Sequence, residues 1–149
     1  MIVGFDYWNV ISHYPYEFAK LILRTDSMPD TEIHVISAIG KGRIGTIKGD
    51  VFKSFSRAGY TNPHKIVHPD NIHEVVFESP KESPELKLAK CKELGIEMFF
   101  DDRQDVVDLL NANGILALLV PRSGAKRSDI EGERDLVWDG VDIMYRERA

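Results

Sequence analysis

Four short, mainly apolar runs separated by amphipathic stretches constrain this chain more than any other feature. They are Met1–Phe5, Ile33–Ile36, Ile96–Phe100 and Ile115–Val120, interrupted only by His34 and Glu97. Runs this short and this apolar suit strands buried on both faces. The stretches between them carry helical stripes. Pro15–Arg24 crowds Phe18, Ala19, Leu21, Ile22 and Leu23 together, with Pro15 near the first turn where its missing N–H costs nothing. Lys48–Ala58 repeats Val51, Phe52, Phe55 and Ala58 at helical intervals, and Gly59 closes it. Pro84–Leu94 has Ser83 as N-cap, Pro84 at N1, Glu85 at the positive end of the dipole and Gly95 at its end. Gln104–Ala112 lines up Val106, Val107, Leu109 and Leu110. Lys65–His68 and Ile72–Phe77 read as two further short strands with a turn between them. Buried strands alternating with helices predict a mostly parallel sheet covered on both faces, a doubly wound α/β fold in one domain over residues 1–149.

Composition narrows the setting. With 43% hydrophobic and 29% charged residues the chain has enough apolar surface for a core. Cys91 is the one cysteine, so no internal disulfide forms, and a reduced, cytoplasmic setting is expected. The first ten residues hold Asp6 and no basic flank, unlike a signal peptide. No apolar run approaches the ~20 residues that span a bilayer, so no membrane partner is expected. The formal charge is −5, from 19 basic and 24 acidic residues. That balance gives nucleic acid no support, while leaving a local basic patch open.

In doubly wound folds ligands bind at the carboxyl ends of the strands. Those ends carry Asp6, Ser37 and the pair Asp101-Asp102. The segment Asp6-Tyr7-Trp8-Asn9 lacks G-x-G-x-x-G, so a nicotinamide or flavin site has no support. Two acidic strand ends crowd negative charge at one rim, and each raises the other's pKa unless a cation intervenes. Hard carboxylate oxygens with open water positions suit Mg²⁺. A carboxylate beside Mg²⁺ can attack phosphorus, and a hydroxyl and a lysine can then hold the phosphoryl oxygens.

The sequence resembles the haloacid dehalogenase (HAD) superfamily of phosphatases and phosphotransferases. The resemblance lies in I-V-G-F-D-Y-W-N-V, in H-V-I-S, and in K-L-A-K-C-K-E-L-G-I-E-M-F-F-D-D-R, spread between Met1 and Val120. The last block is the most specific. The resemblance implies a Rossmann-like sheet, Asp6 as nucleophile and metal ligand, and Ser37 as phosphoryl donor. It implies Lys87, eight residues before Gly95, as the charge-neutralising lysine. Asp101, Asp102 and the main-chain carbonyl of Trp8 complete the implied Mg²⁺ ligands. The chain departs from the family where a second Asp acts as general acid: Trp8 stands there, and an indole N–H cannot protonate a leaving oxygen. A positioned acid contributes typically 10²–10⁴-fold. Ile11–Glu32 and Ala38–Leu86 are too short for a large cap domain. The implied substrate is phosphorylated, and an open site admits a macromolecule or calls for a partner subunit to exclude water. Without the acid, the alternative is a catalytically inactive relative that binds a phosphorylated ligand or a protein.

Each residue also has a plainer reading. Asp6 can cap the turn after its strand, and Ser37 can be a turn residue. Lys87 can be solvated like its neighbours Lys90 and Lys92, with Lys81 as a rival. Asp101-Asp102 can cap the following helix. Tyr7 and Trp8 can line a slot, or Trp8 can fill space over the sheet. His64, His68 and His73 do not have the spacing of a zinc site. Cys91 reads as a packing residue. Arg122, Lys126 and Arg127 around Gly124 form a short basic loop flanked by Asp129, Glu131 and Glu133. Leu136–Trp138 and Val141–Tyr145 read as strand pairs or a packed tail.

Overall fold

The structure is a computed structural model and describes residues 1–25, 28–122, 125–126 and 147–148. Five parallel strands form its sheet: β1 (Ile2–Phe5), β2 (Glu32–Gly40), β3 (Ile72–Phe77), β4 (Met98–Asp101) and β5 (Leu116–Leu119). Their order is β3-β2-β1-β4-β5. Parallel neighbours need a crossover, and four helices supply one each. These are α1 (Pro15–Arg24), α2 (Ile47–Arg57), α3 (Ser83–Leu94) and α4 (Gln104–Ala112). The chain steps outward from β1 through β2 to β3, then returns to the other side for β4 and β5. With right-handed crossovers, that reversal places α1 and α2 on one face and α3 and α4 on the other.

The core divides the same way. Val3, Phe5, Val35 and Ile39 pack with Ala19, Ile22, Val51 and Phe55 from α1 and α2. On the opposite face Ile36, Phe99 and Ala117 pack with Leu88 and Cys91 from α3 and with Val106, Val107 and Leu110 from α4. The fold class expected from the sequence is therefore found. Among the described residues no helix is long and apolar enough to cross a membrane. A separate two-residue antiparallel pairing joins Ala125–Lys126 to Glu147–Arg148. Leu136–Trp138, Val141–Tyr145, Arg127 and its flanking acids lie outside the described residues.

Some local expectations change. Lys65–His68 is not a strand. Pro63–Lys65 forms a 3₁₀ turn, and Ile66 and Val67 plug the core beside α2 without a sheet partner. The first apolar run after α1 extends further than its composition suggests. β2 runs on to Gly40 because β3 pairs with it up to Gly40↔Phe77, so Ser37 lies inside the strand. Ser83 does not cap α3. A 3₁₀ turn, Pro80–Glu82, feeds the helix directly, so Glu82 takes the cap position and Ser83 is already helical at φ −55°, ψ −43°. Gly95 does end α3 as expected, in the left-handed region at φ 73°.

Gly4 marks the tightest approach in the sheet. A Cβ there would stand 2.6 Å from Phe99 Cδ1 and 2.9 Å from Cε1. Gly49, exposed within α2, has nothing within 4 Å of such a Cβ. Gly4→Ala is expected to destabilise by about 1–3 kcal/mol through overpacking. Gly49→Ala is expected to stabilise by about 0.5–1 kcal/mol through helix propensity. Urea titration of the two variants beside the parent checks both signs.

Candidate functional site

The reversal of strand order falls between β1 and β4, where a doubly wound sheet opens a crevice at its carboxyl rim. The register sets Phe5 beside Phe100, so the next residues, Asp6 and Asp101, leave the two strands level with each other. The Asp6 N–H donates to the Phe100 carbonyl at 2.9 Å and fixes that alignment. Even-numbered β1 positions and odd-numbered β4 positions face α3, as Gly4 and Phe99 do. Asp6 and Asp101 therefore turn to the same side.

α3 brings the countercharge. Lys87 is 2% exposed, and its Nζ lies 2.6 Å from Asp101 Oδ2 and 3.1 Å from Asp6 Oδ1. Lys81, its rival, is exposed on the 3₁₀ turn. Asp101 Oδ1 also accepts from the Arg103 N–H at 3.0 Å. Asp102 has a side chain only 3% exposed and an ion pair with Arg122 Nε. Carboxylate oxygens of Asp6, Asp101 and Asp102 lie within 4.8 Å of one another, the one group of three such ligands among the described residues. Neither Asp101 nor Asp102 caps α4. Arg103 occupies its cap position, and Asp105 is the first-turn acid.

Three carboxylates face one ammonium and one guanidinium, with Asp6, Lys87 and Asp101 largely buried. Burial pushes Asp6 well above the usual carboxylate range, and the charge of Asp101 adds to the rise; Lys87 only partly offsets it. Asp101 is raised as well, again first by burial, with Lys87 opposing. Burial alone would lower Lys87, but Asp101 and Asp6 outweigh it and hold the ammonium protonated. The excess of negative charge, carried on hard oxygens, fits a divalent cation at this point.

The turn after β1 is held from several sides. Asp6 Oδ1 accepts from the Tyr7 N–H at 2.8 Å, so it does cap the next turn while facing Lys87. Tyr7–Ile11 makes one wide turn closed by Ser12 N–H to Tyr7 O at 2.9 Å. Asn9 within it is left-handed at φ 63°. The Tyr7 hydroxyl shares a 2.7 Å hydrogen bond with Ser54 Oγ of α2. Trp8 is extended and half-buried; its ring meets Tyr7 edge-on at 4.9 Å and lies 5.3 Å from the Arg43 guanidinium.

Ser37 stands apart from these groups. It is 0% exposed, one residue past the level of Asp6, and belongs by alternation to the Val35–Ile39 face under α1 and α2. Its Oγ has no hydrogen-bond partner. Arg122 pairing with Asp102 and Arg43 lying over Trp8 were not legible in the residue order, because both depend on loop paths. Away from the rim, His73 meets His34, with Nε2 3.0 Å from Nδ1, and not His64 or His68. Cys91 is a buried packing residue, its thiol pushed up to about 12 by burial. No protein-family model, no curated protein and no solved structure matches this chain.

Two outcomes follow from the charges. A carboxyl raised in the folded state contributes stability that is full below its ordinary 3.8 and fades as pH climbs through the raised value. The protein is therefore expected to lose stability from acid toward neutral pH, and a divalent cation held by these carboxylates would restore it at neutrality. Such a cation would add about 2.7 kcal/mol at a hundredfold excess over its Kd. Asp102→Ala is expected to abolish the Mg²⁺ shift in a melting experiment. Lys87→Met leaves two buried carboxylates without their ammonium. It is expected to cost about 3–5 kcal/mol at pH 7 and less at pH 5, by chemical denaturation at both values.

Proposed function

We propose that this chain is a Mg²⁺-dependent phosphohydrolase or phosphotransferase that works through an aspartyl-phosphate on Asp6, after the manner of the HAD superfamily its motifs resemble. One observation carries the reading: Asp6, Asp101 and Asp102 converge within 4.8 Å at the switch point, with Lys87 wedged between the first two.

An oxygen of Asp6 attacks phosphorus; its bond to phosphorus forms as the bond to the leaving oxygen breaks, and that oxygen departs with the electron pair. Water or an acceptor hydroxyl then attacks phosphorus; the bond from Asp6 oxygen to phosphorus breaks with its electron pair returning to the carboxylate, and the proton of the attacking oxygen passes to solvent. Lys87 neutralises charge gathering on the phosphoryl oxygens, and Ser37 is the hydroxyl donor that the motif assigns. Asp101, Asp102, Asp6 and the Trp8 carbonyl are the proposed metal ligands. Mg²⁺, when bound, supplies the positive charge that keeps the carboxylates ionised and draws the phosphate in.

Trp8 shapes the substrate range. With no acid to protonate it, the leaving group must depart as an anion, which aryl and acyl phosphates do more readily than alkyl phosphates. No inserted domain roofs the rim among the described residues, so a phosphorylated macromolecule fits the reading. A screen of phosphorylated compounds with and without Mg²⁺ tests it. Metal-dependent turnover is expected, falling on the order of 10³-fold or more in Asp6→Asn.

The second reading is a non-catalytic relative that binds a phosphorylated ligand or protein, and Trp8 is what favours it. Trp8→Asp separates the two. It is expected to raise alkyl phosphate hydrolysis more than aryl phosphate hydrolysis. Its stability cost should stay below the roughly 3–5 kcal/mol of a fully buried aromatic, since the ring is only half-buried. Metal-independent background rates in both proteins, with the fold intact, would favour the binding module.

A further inference from the structure

A serine in the first turn of a helix ordinarily spends its hydroxyl on backbone groups nearby. Ser83 does not. It is 1% exposed, and its Oγ has no hydrogen-bond partner. Its backbone needs no help either: its N–H donates to Pro80 O, closing the 3₁₀ turn, and that carbonyl also accepts from Arg103 Nη1 at 3.2 Å. A buried hydroxyl without a partner is destabilising, because it gives up its hydrogen bonds to water for none in the fold. Ser83 therefore carries a cost that no capping role explains.

Its position relative to Lys87 supplies the reason. The two are four residues apart in α3, on one stripe of the helix. Helical side chains lean toward the N-terminus, so the Lys87 stem covers the turn from which Ser83 projects. The ammonium at the end of that stem contacts Asp6 and Asp101. Ser83 thus sits on the α3 face of the rim, the face that Asp6 and Asp101 share. Ser37 belongs by strand alternation to the other face.

We propose that Ser83 is a hydroxyl donor to a phosphoryl group held at Asp6, acting from the Lys87 side of the rim. This rests on the phosphoryl-transfer reading of the site. The Ser83 hydroxyl is buried and unpartnered, and an acceptor oxygen of an anion held beside Lys87 would satisfy it. A hydrogen bond to a charged group is worth roughly 1.5–3 kcal/mol, which is roughly 10- to 100-fold in affinity.

The test is calorimetric titration with orthophosphate in the presence of Mg²⁺, on the parent, Ser83→Ala and Ser37→Ala. Melting temperatures are taken without ligand and with Mg²⁺ alone. Ser83→Ala is expected to weaken phosphate binding roughly 10- to 100-fold. Its unliganded melting temperature should hold or rise, since the lost hydroxyl had no partner, and its Mg²⁺ shift should match the parent's. Phosphate affinity in Ser83→Ala equal to the parent's would overturn the assignment. If Ser37→Ala alone loses affinity, the phosphoryl reading stands and only the role of Ser83 falls. If the parent binds no phosphate with Mg²⁺ present, the reading and the assignment fall together.

Discussion

The position of one ammonium organises the carboxyl rim. Lys87 arrives there because α3 descends from the end of β3 and its side chains lean back toward the rim. Its nitrogen lies 5.9 Å from the centre of the Phe99 ring, and Phe99 can lie flat against β1 only because position 4 is glycine. Gly4, Phe99 and Lys87 thus form a continuous support from the sheet to the charges. Breaking a buried ion pair by removing one partner costs far more than the pair contributes net, so this support has little tolerance for change. The site is held by packing beneath it as much as by its own attractions.

The negative excess is the other half of the constraint. Asp6, Asp101 and Asp102 converge because two parallel strands end level with each other, and no local preference would gather them. The sheet imposes the repulsion, and the apolar faces beneath it hold the strands in place regardless. Local rules bend at the rim as well, with Asn9 in the left-handed region and Tyr7–Ile11 in one wide turn directly after Asp6.

Much of this was legible in the order of residues, where local physics decides. Pro15 marks the start of α1, Gly95 the end of α3, and short apolar runs mark β1, β4 and β5, because each signal needs only its neighbours. Asp6, Lys87, Asp101 and Asp102 were legible as candidates, and the first three now lie in contact through the Lys87 ammonium. What escaped depended on long-range pairing. Ile66-Val67 looks like strand and is core plug, because a sheet position needs a free neighbouring edge. Ser37 looks like a strand end and is strand interior, because β3 continues the ladder through Gly40. Ser83 looks like a cap, and a preceding 3₁₀ turn removed that role. Arg122 reaches Asp102 across a separation of 20 residues that no pattern encodes.

The unequal lengths of the strands give the rim a shape. β4 and β5 stop level with Asp6, while β2 continues through four further residues, Ser37 to Gly40, with β3 beside it. At about 3.3 Å per residue that overshoot is roughly 13 Å high. The carboxylates therefore lie at the foot of a step. Among the described residues the side toward β3 is therefore walled, while on the side toward β5 only the short continuation through Val120 to Arg122 rises past the strand end, with Arg122 reaching back to Asp102. Any molecule bound at Asp6 as proposed would meet that wall on its β2 side, so the rim is asymmetric and the two directions away from Asp6 do not leave equal room.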